Sequence, residues 1–225
     1  MNTGQNLIEL DLSLVSPDVI SVLIEDASDP GIFGEIARAN TARPDVLKLL
    51  LDCTGTPDEV RELIAGTMKL PVVPKAQAPD SERTRDSRTE TLLQRIQKLN
   101  VSARVQLALK GGREIRGILA RDPNKEVVLG VLENGKITES EIELIAKNRS
   151  ALEESLRRIS KNREWMKKYS IVFALVTNPK TPAGIAVTFV SSLKKKDLSA
   201  LEKNRNVSEA VRIAAKKLLA ARRPG

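Results

Sequence analysis

A regular spacing of prolines constrains the first seventy residues more than any other feature of the chain. Prolines stand at positions 17, 30, 44 and 57, at intervals of 13, 14 and 13 residues. Ser16, Asp29 and Thr56 precede three of them and can cap a helix, whereas Arg43 precedes the fourth. A capping oxygen followed by proline marks a helix start, because the first helical N–H has no acceptor within the helix. The fixed period predicts a repeat of short helices.

Apolar residues recur in step with these helix starts. Counted from each residue before a proline, they fall four, seven and eight positions later, which is the spacing of one helical face. The sets are Ile20, Leu23, Ile24; Phe33, Ile36, Ala37; Leu47, Leu50, Leu51; and Val60, Leu63, Ile64. Two later sets follow the same template, Ile142, Ile145, Ala146 after Thr138 and Ala210, Ile213, Ala214 after Asn206. We therefore expect each of these helices to bury the same face.

Both ends of the predicted helices carry recurring signals. Glutamates three residues after Thr56, Thr138, Ser150 and Asn206 predict capping boxes. Lys-Asn-Arg triplets at 147–149, 161–163 and 203–205 predict helix C-termini. Asparagine tolerates the left-handed conformation that closes a helix, and a lysine in the last turn complements the helix dipole.

These signals predict an all-α fold without strands. Short helices joined by two or three residues pack antiparallel on their neighbours, and stacked pairs bury a core that no single pair could bury. The predicted fold is therefore an α-solenoid of short antiparallel helix pairs. The predicted helices are 16–28, 30–40, 44–54, 57–68, 91–99, 101–110, 113–121, 123–133, 138–147, 150–161, 164–177, 182–193, 197–203 and 207–222.

Charge is distributed unevenly along the chain. Residues 1–70 hold 12 acidic and 5 basic side chains, a formal −7, whereas residues 91–225 hold 28 basic and 13 acidic side chains, a formal +15. Residues 71–90 hold three prolines and four charges of each sign, a composition typical of a polar linker. We therefore predict an acidic N-terminal helical-repeat body (1–70), a linker (71–90) and a basic C-terminal helical-repeat domain (91–225).

Composition removes most catalytic and metal-binding arrangements. The chain has no histidine, and Cys53 is its one cysteine. Histidine is the commonest general base at neutral pH and the commonest metal ligand. One cysteine forms neither a disulfide within the chain nor a cysteine-rich metal site. We therefore predict a non-enzymatic protein with no catalytic residue, cofactor site or metal site.

The sequence also bears on location. Its first residues show no basic segment followed by an apolar one, so we expect no secretory signal and a cytoplasmic protein. The most apolar stretches, 171–176 and 184–190, fall well short of the roughly 20 residues that cross a bilayer. We expect no membrane span.

Asn178-Pro179-Lys180-Thr181-Pro182 and Asp122-Pro123, with the short proline-anchored helices, resemble the leucine-rich repeat variants and, more loosely, bacterial HEAT-like repeats. The similarity covers most of the chain outside residues 71–90. Two features depart from the family pattern: the helix-pair period of about 27 residues is longer, and the cysteines of the iron–sulfur-bearing members are absent. The resemblance implies a curved helical array that binds a partner, without an assigned reaction.

Basic residues at the helix ends are the main candidates for contact with a partner. Alternate helix ends share an edge when antiparallel pairs stack, so two basic edges are expected. One edge would hold Lys147, Arg149, Lys180, Lys203 and Arg205, and the other Lys136, Lys161, Arg163, Lys194, Lys195 and Lys196. Trp165 and Tyr169, four residues apart on one predicted helix, form either an aromatic anchor for a partner or a local packing pair.

These features favour an interaction scaffold or adaptor. Its concave surface and basic edges would bind a protein partner with an acidic surface. A nucleic-acid-binding protein that contacts phosphates through the same lysines and arginines is the alternative, although few aromatic residues are present to stack on bases. A third possibility is that the acidic body docks on the basic one and masks the site until a partner competes.

Overall fold

A computed structural model of the chain describes residues 11–26, 30–68 and 85–222, with residues 85–91 described by their backbone alone. Regular structure in these ranges is entirely helical, which confirms the all-α prediction. The helices are α1 (Pro17–Glu25), α2 (Gly31–Ala39), α3 (Pro44–Asp52), α4 (Asp58–Met68), α5 (Arg85–Lys98), α6 (Val101–Lys110), α7 (Arg113–Leu119), α8 (Lys125–Glu133), α9 (Glu139–Lys147), α10 (Glu153–Lys161), α11 (Arg163–Met166), α12 (Tyr169–Thr177), α13 (Ala183–Val190), α14 (Lys195–Lys203) and α15 (Glu209–Ala221).

Two helices differ clearly from their predicted extents. Helix α5 begins at Arg85, inside the predicted linker, while linker residues 71–84 lie outside the described ranges. The single helix predicted at 164–177 is instead two helices, α11 and α12, with a break at Lys167 and Lys168. Asn162 caps the start of α11 through bonds from the Glu164 and Trp165 N–H groups. The Lys167 and Lys168 N–H groups donate to the Glu164 and Trp165 carbonyls three residues earlier, and α11 ends there.

Helix caps follow the sequence prediction at two positions. Ser16 accepts a hydrogen bond from the Val19 N–H at 3.4 Å, and Thr138 forms a capping box with Glu141. In that box the Glu141 carboxylate accepts from the Thr138 N–H at 2.8 Å, and the Thr138 hydroxyl accepts from the Glu141 N–H at 3.3 Å. The first turns of α1 and α9 therefore begin as predicted.

Other predicted caps are wrong or lie elsewhere. Helix α10 starts after Leu152, because the Ser150 N–H donates to the Asn148 side chain instead. Helix α15 is capped by Ser208, two residues beyond the predicted Asn206. The Thr56 hydroxyl donates to the Leu50 carbonyl. The predicted cap at Asp29 lies outside the described residues.

The shifted caps change which side chains are buried. Helix α15 buries Val211 and Ala215, while Ile213 of the predicted face is 47% exposed. Helix α4 buries Ile64 and Ala65, and Leu63 is 42% exposed. The predicted faces of α1, α2 and α9 are fully buried as expected.

The Lys-Asn-Arg triplets end helices by a different geometry from the one predicted. Asn148, Asn162 and Asn204 have φ values of −67°, −82° and −79°, which are extended rather than left-handed. Each side-chain oxygen accepts the N–H two residues later, at 2.9–3.0 Å. Asn178 forms the same turn with the Lys180 N–H at 2.9 Å. Such Asx turns redirect the chain at the helix end without positive φ.

Three buried asparagines each donate hydrogen bonds from the side-chain amide to carbonyl groups much earlier in the chain. We call each such set of bonds a clamp. The Asn40 amide donates to the Leu12 carbonyl at 3.2 Å, 28 residues earlier. Asn134 donates to the carbonyls of Ala108 and Gly111, at 2.9 and 3.1 Å. Asn178 donates to those of Ala146 and Asn148, at 2.6 and 2.9 Å. The Asn134 and Asn178 clamps supply donors to carbonyl groups at or near helix ends, which otherwise have no partner within the helix.

The chain divides into two compact units. Unit 1 consists of Met1–Leu119 and Glu133–Gly135, and unit 2 of Ala120–Leu132 and Lys136–Gly225. This division falls near residue 120 rather than at the predicted linker 71–90.

Unit 1 joins residues from both sides of the predicted linker. The Ile115 N–H at the start of α7 donates to the buried Asp26 carboxylate at 2.9 Å. Arg95 pairs with Glu25 and donates to the Ser21 hydroxyl. Helices α5 and α7 thus contact α1 and its C-cap.

Unit 2 is built on one continuous apolar core over its last four helices. Helices α12 to α15 together with the turns between them contribute Val172, Val176, Ala186, Val190, Leu193, Leu198, Leu201, Val207, Val211 and Ala215.

Polar contacts fix the direction of the neighbouring helices in unit 2. Lys168 pairs with Glu139 at 2.7 Å where α12 and α9 begin, and Asn178 reaches Ala146 where they end. Helices α9 and α12 therefore run side by side in the same direction. Arg222 at the end of α15 donates to the Ser191 and Leu193 carbonyls just past the end of α13, at 2.7 and 2.8 Å. The C-terminal ends of α13 and α15 therefore lie close together.

Candidate interaction surface

All eleven basic residues predicted for the two edges are exposed and lie at helix ends of unit 2, with Lys136 in the turn before α9. Lys147, Lys161 and Lys203 close α9, α10 and α14, while Lys194 to Lys196 open α14. The remaining four stand in or directly beside the connecting turns: Arg149, Arg163, Lys180 and Arg205. Their availability to a partner depends on which neighbours neutralise them.

The Asn178 clamp joins part of the first predicted edge. Its bonds to the Ala146 and Asn148 carbonyls bring the turn that holds Lys180 beside the turn that holds Arg149. Lys203 and Arg205 precede α15, and Lys180 precedes α13. Each of these cations therefore lies just before a helix start.

Contacts around Tyr169 join part of the second predicted edge. The Tyr169 hydroxyl donates to the Asp197 carboxylate and accepts the Lys194 N–H at 3.1 Å. The Lys194 ammonium lies 4.8 Å from the centre of the tyrosine ring, within cation–π range. The start of α12 is thereby attached to the start of α14.

Tyr169 is a packing residue in this structure. Its ring stacks on Phe173 with centroids 6.4 Å apart, and the side chain is half-buried. Burial, followed by the hydrogen bond to Asp197, raises the pKa of its hydroxyl. Trp165 lies on α11 rather than on the helix of Tyr169, so the predicted pair on one helix is wrong.

Unit 2 contains two adjoining segments that differ in how their charges are neutralised. The paired segment, residues 136–168, has nine basic and six acidic side chains. Four ion pairs form within it: Lys147–Glu143, Arg157–Glu153, Lys167–Glu164 and Lys168–Glu139. The bond from Lys147, together with one from Ser170, lowers the pKa of Glu143.

The cationic segment, residues 169–222, has ten basic and only three acidic side chains. All of its residues are described, and no ion pair joins two of its side chains. Of the three acids, Asp197 accepts the Tyr169 hydroxyl. The cationic segment therefore presents positive charge that the fold does not cancel.

The start of α14 concentrates this charge in one turn. Lys194 is its N-cap, Lys195 and Lys196 are its first two residues, and no side chain caps its N–H groups. Helix N-termini carry partial positive charge and favour acidic side chains. The lysine turn, Lys194–Lys196, is thus placed where cations are electrostatically disfavoured.

Sequence reasoning missed several residues that shape this surface. Lys216 and Lys217 add exposed cations on α15, and Arg222 bonds the carbonyls before the lysine turn. Lys216 and Lys217 are an adjacent basic pair and could have been found from sequence. Arg222 could not, because its partners are 29 and 31 residues away.

Other site types find little support within the described ranges. No group of three acidic, histidine or cysteine side chains there could hold a metal ion. No helix in those ranges is both long and apolar enough to span a bilayer. A shallow pocket between residues 120–123 and 148–152 lies within unit 2. It is lined by Arg121, Asp122 and Ser150 among others.

The comparisons with known proteins return nothing. No protein-family model, curated protein or solved structure matches the chain.

Proposed function

We propose that this protein is a non-enzymatic helical-repeat scaffold that binds an acidic surface of a protein partner. In this proposal antiparallel helix pairs stack as an α-solenoid, as in the HEAT-like repeats that the sequence resembles. The partner would contact the concave surface and the basic edges. Pre-ordered helices bind at a low entropic cost, since few groups must be immobilised on association.

The observation that carries this proposal is the unneutralised charge of the cationic segment. That segment has ten basic and only three acidic side chains, and no ion pair joins any two of them. Exposed ion pairs contribute little stability, so their absence costs the fold little and leaves the charge available. The six predicted cations in this segment are Lys180, Lys194, Lys195, Lys196, Lys203 and Arg205.

Nucleic acid is the second candidate, favoured by the density of cations at the lysine turn. Phosphate contacts need only such point charges, and binding of this kind falls steeply with salt. The aromatic residue beside the turn, Tyr169, is already engaged by Phe173, Asp197 and Lys194. The ring that contacts the lysine turn is therefore not free for base stacking.

The test is fluorescence anisotropy of the full chain with three labelled probes: a Glu/Asp-rich peptide, single-stranded RNA and double-stranded DNA. Each is titrated at about 50 and 200 mM salt, a range in which several phosphate contacts would lose orders of magnitude in affinity. We expect the acidic peptide to bind. Tighter, steeply salt-dependent binding of either nucleic acid would favour the second candidate, and binding of none would overturn both.

A charge-reversal variant shows whether the cationic segment is responsible. Lys195, Lys196, Lys203 and Arg205 are changed to Glu together, and we expect affinity for the acidic peptide to fall by about tenfold or more. The matched control changes four cations that already have ion-pair partners to Glu: Lys147, Arg157, Lys167 and Lys168. Equal losses in both variants would mean that binding reflects net charge alone.

A further inference from the structure

We propose that the lysine turn is the recognition site for a run of carboxylates on the acidic partner. This inference rests on the proposed function and assigns it to one place on the surface. Lys195 and Lys196 are exposed, and no ion pair involves either of them within the described residues. Four features of the lysines support the assignment: their position, the contacts that hold them, their surroundings and their chemistry.

The lysine turn departs from the charge pattern at the starts of three other helices of unit 2. Helices α9, α10 and α15 each carry glutamate in the first turn. Helix α14, nine residues long, begins with two lysines after a lysine N-cap. Cations there face the positive end of the helix dipole. Departures from such local rules are expected at functional sites, where the partner supplies the missing charge.

The contacts of the turn hold it in place before any partner binds. The Lys194 N–H donates to the Tyr169 hydroxyl at 3.1 Å, and its ammonium lies over the tyrosine ring. Asp197, the one acidic residue of the first turn, accepts the Tyr169 hydroxyl. The nearest carboxylate is therefore bonded to the packing that supports the turn.

Arg222 adds positive charge beside the lysine turn. Arg222 donates to the Leu193 and Ser191 carbonyls immediately before the lysine turn. These bonds bring a guanidinium next to the lysines and satisfy carbonyls at the end of α13. Ser191 and Ser192 are exposed and uncharged.

The chemistry of the turn fits carboxylates. Lysine ammonium groups are mobile point charges with three donors each, and they pair with carboxylates without the planar geometry that a guanidinium imposes. Successive carboxylates on an extended acidic segment can pair with Lys195 and Lys196 and approach the first N–H groups of α14. No free aromatic ring stands beside the turn to read a base.

The test compares two double charge reversals at opposite ends of α14. Lys195→Glu with Lys196→Glu removes the lysine turn, and Lys203→Glu with Arg205→Glu makes the same charge change at the other end. Anisotropy is measured with the full chain and the labelled Glu/Asp-rich peptide. We expect about a tenfold loss of affinity for the first variant and less than about a twofold loss for the second. The conservative Lys195→Arg with Lys196→Arg variant should retain binding.

Thermal melts of the same variants test whether a loss of binding comes from a loss of stability instead. Replacing cations by anions at a helix start should leave the melting temperature of the first variant unchanged or higher. A lower melting temperature would show that the lysines support α14, and would overturn the proposed site.

The failure of this inference is distinct from the failure of the proposed function. Equal losses at both ends of α14 would overturn the lysine turn as the site while the proposed function stands. If the fourfold reversal also leaves binding unchanged, the proposed function fails as well. Tighter binding of double-stranded DNA than of the peptide, lost on reversal of the lysine turn, would overturn the carboxylate partner.

Discussion

The paired and cationic segments have nearly the same number of basic side chains, nine and ten, yet they differ in acids, six against three. Four ion pairs neutralise the paired segment, and none forms within the cationic segment. The positive surface therefore arises from missing acids rather than from added bases. Counting lysines and arginines alone would not have distinguished the two segments.

The contrast between the segments also shows that the stability of unit 2 and the charge of its surface depend on different residues. Exposed ion pairs at helical spacing contribute about 0.2–0.5 kcal/mol each. The apolar core of α12–α15 and the Asn178 clamp are buried, and their removal from water contributes far more to the free energy of unfolding. Surface charge can thus vary between the segments while the packing stays alike. Variants in each segment test that separation.

The largest expected effect is on the buried clamp that joins the two segments. Asn178→Ala removes two bonds to carbonyls and one from the Lys180 N–H, at a side chain that is 5% exposed. We expect a loss of about 3 kcal/mol in the free energy of unfolding, because buried carbonyls lose their donors. Urea unfolding measures it. Asn204→Ala, which loses one turn bond at a half-buried site, should cost about 1 kcal/mol. Equal costs would contradict the role of the clamp.

The next effect concerns the support of the lysine turn. Tyr169→Phe removes the hydroxyl that bonds Asp197 and Lys194, and we expect a loss of about 1–2 kcal/mol near neutral pH. The folded pKa of Tyr169 is raised. Its contribution is therefore complete below the unfolded pKa of about 10 and is lost as the pH rises through the folded pKa. Melting temperatures of both proteins should converge at high pH. A constant difference would show that the hydroxyl does not titrate as expected.

Charge reversals at two helix starts, one in each segment, should change the free energy of unfolding in opposite directions. Lys195→Glu with Lys196→Glu in the cationic segment should stabilise the fold by about 0.5–1 kcal/mol, because it places acids at a helix N-terminus. Glu139→Lys in the paired segment should destabilise it by about 1 kcal/mol, because it loses both the favourable charge and the pair with Lys168. Thermal melts at low salt measure both. Changes of the same sign would show that the helix starts do not differ as proposed.

The smallest change in the free energy of unfolding is expected at an exposed ion pair. Glu143→Gln removes the partner of Lys147, and we expect about 0.3 kcal/mol after allowing for solvent screening. The pKa of Glu143 is lowered, chiefly by the Lys147 bond. The contribution is therefore present at neutral pH and is lost as the pH falls below about 4. Chemical unfolding at both pH values measures it. A difference that persists at acid pH would point to packing rather than charge.

The sequence predicted most of the helices because capping residues, prolines and apolar spacing act within one or two turns. Thr138 and Glu141 show this well, since their capping box needs only residues three positions apart. The same local reasoning failed at Asn206. Asn204 uses its side chain to bind the Asn206 N–H, so the helix starts later and buries Val211 and Ala215. Spacing alone could not show which of two nearby residues, Asn206 or Ser208, would cap the helix.

The sequence by itself thus determined the helical class, the approximate helix boundaries and the excess of positive charge toward the C-terminus. Tertiary structure alone decided which cations stay without partners, because the pairing of Lys168 with Glu139 and the bonds of Tyr169 to Asp197 and Lys194 span 25 or more residues. It also brought residues from both sides of the predicted linker together, as in the contact of Asp26 with Ile115. Charge composition is a property of the chain, whereas neutralisation requires two groups within a few ångströms, which only the packed fold arranges.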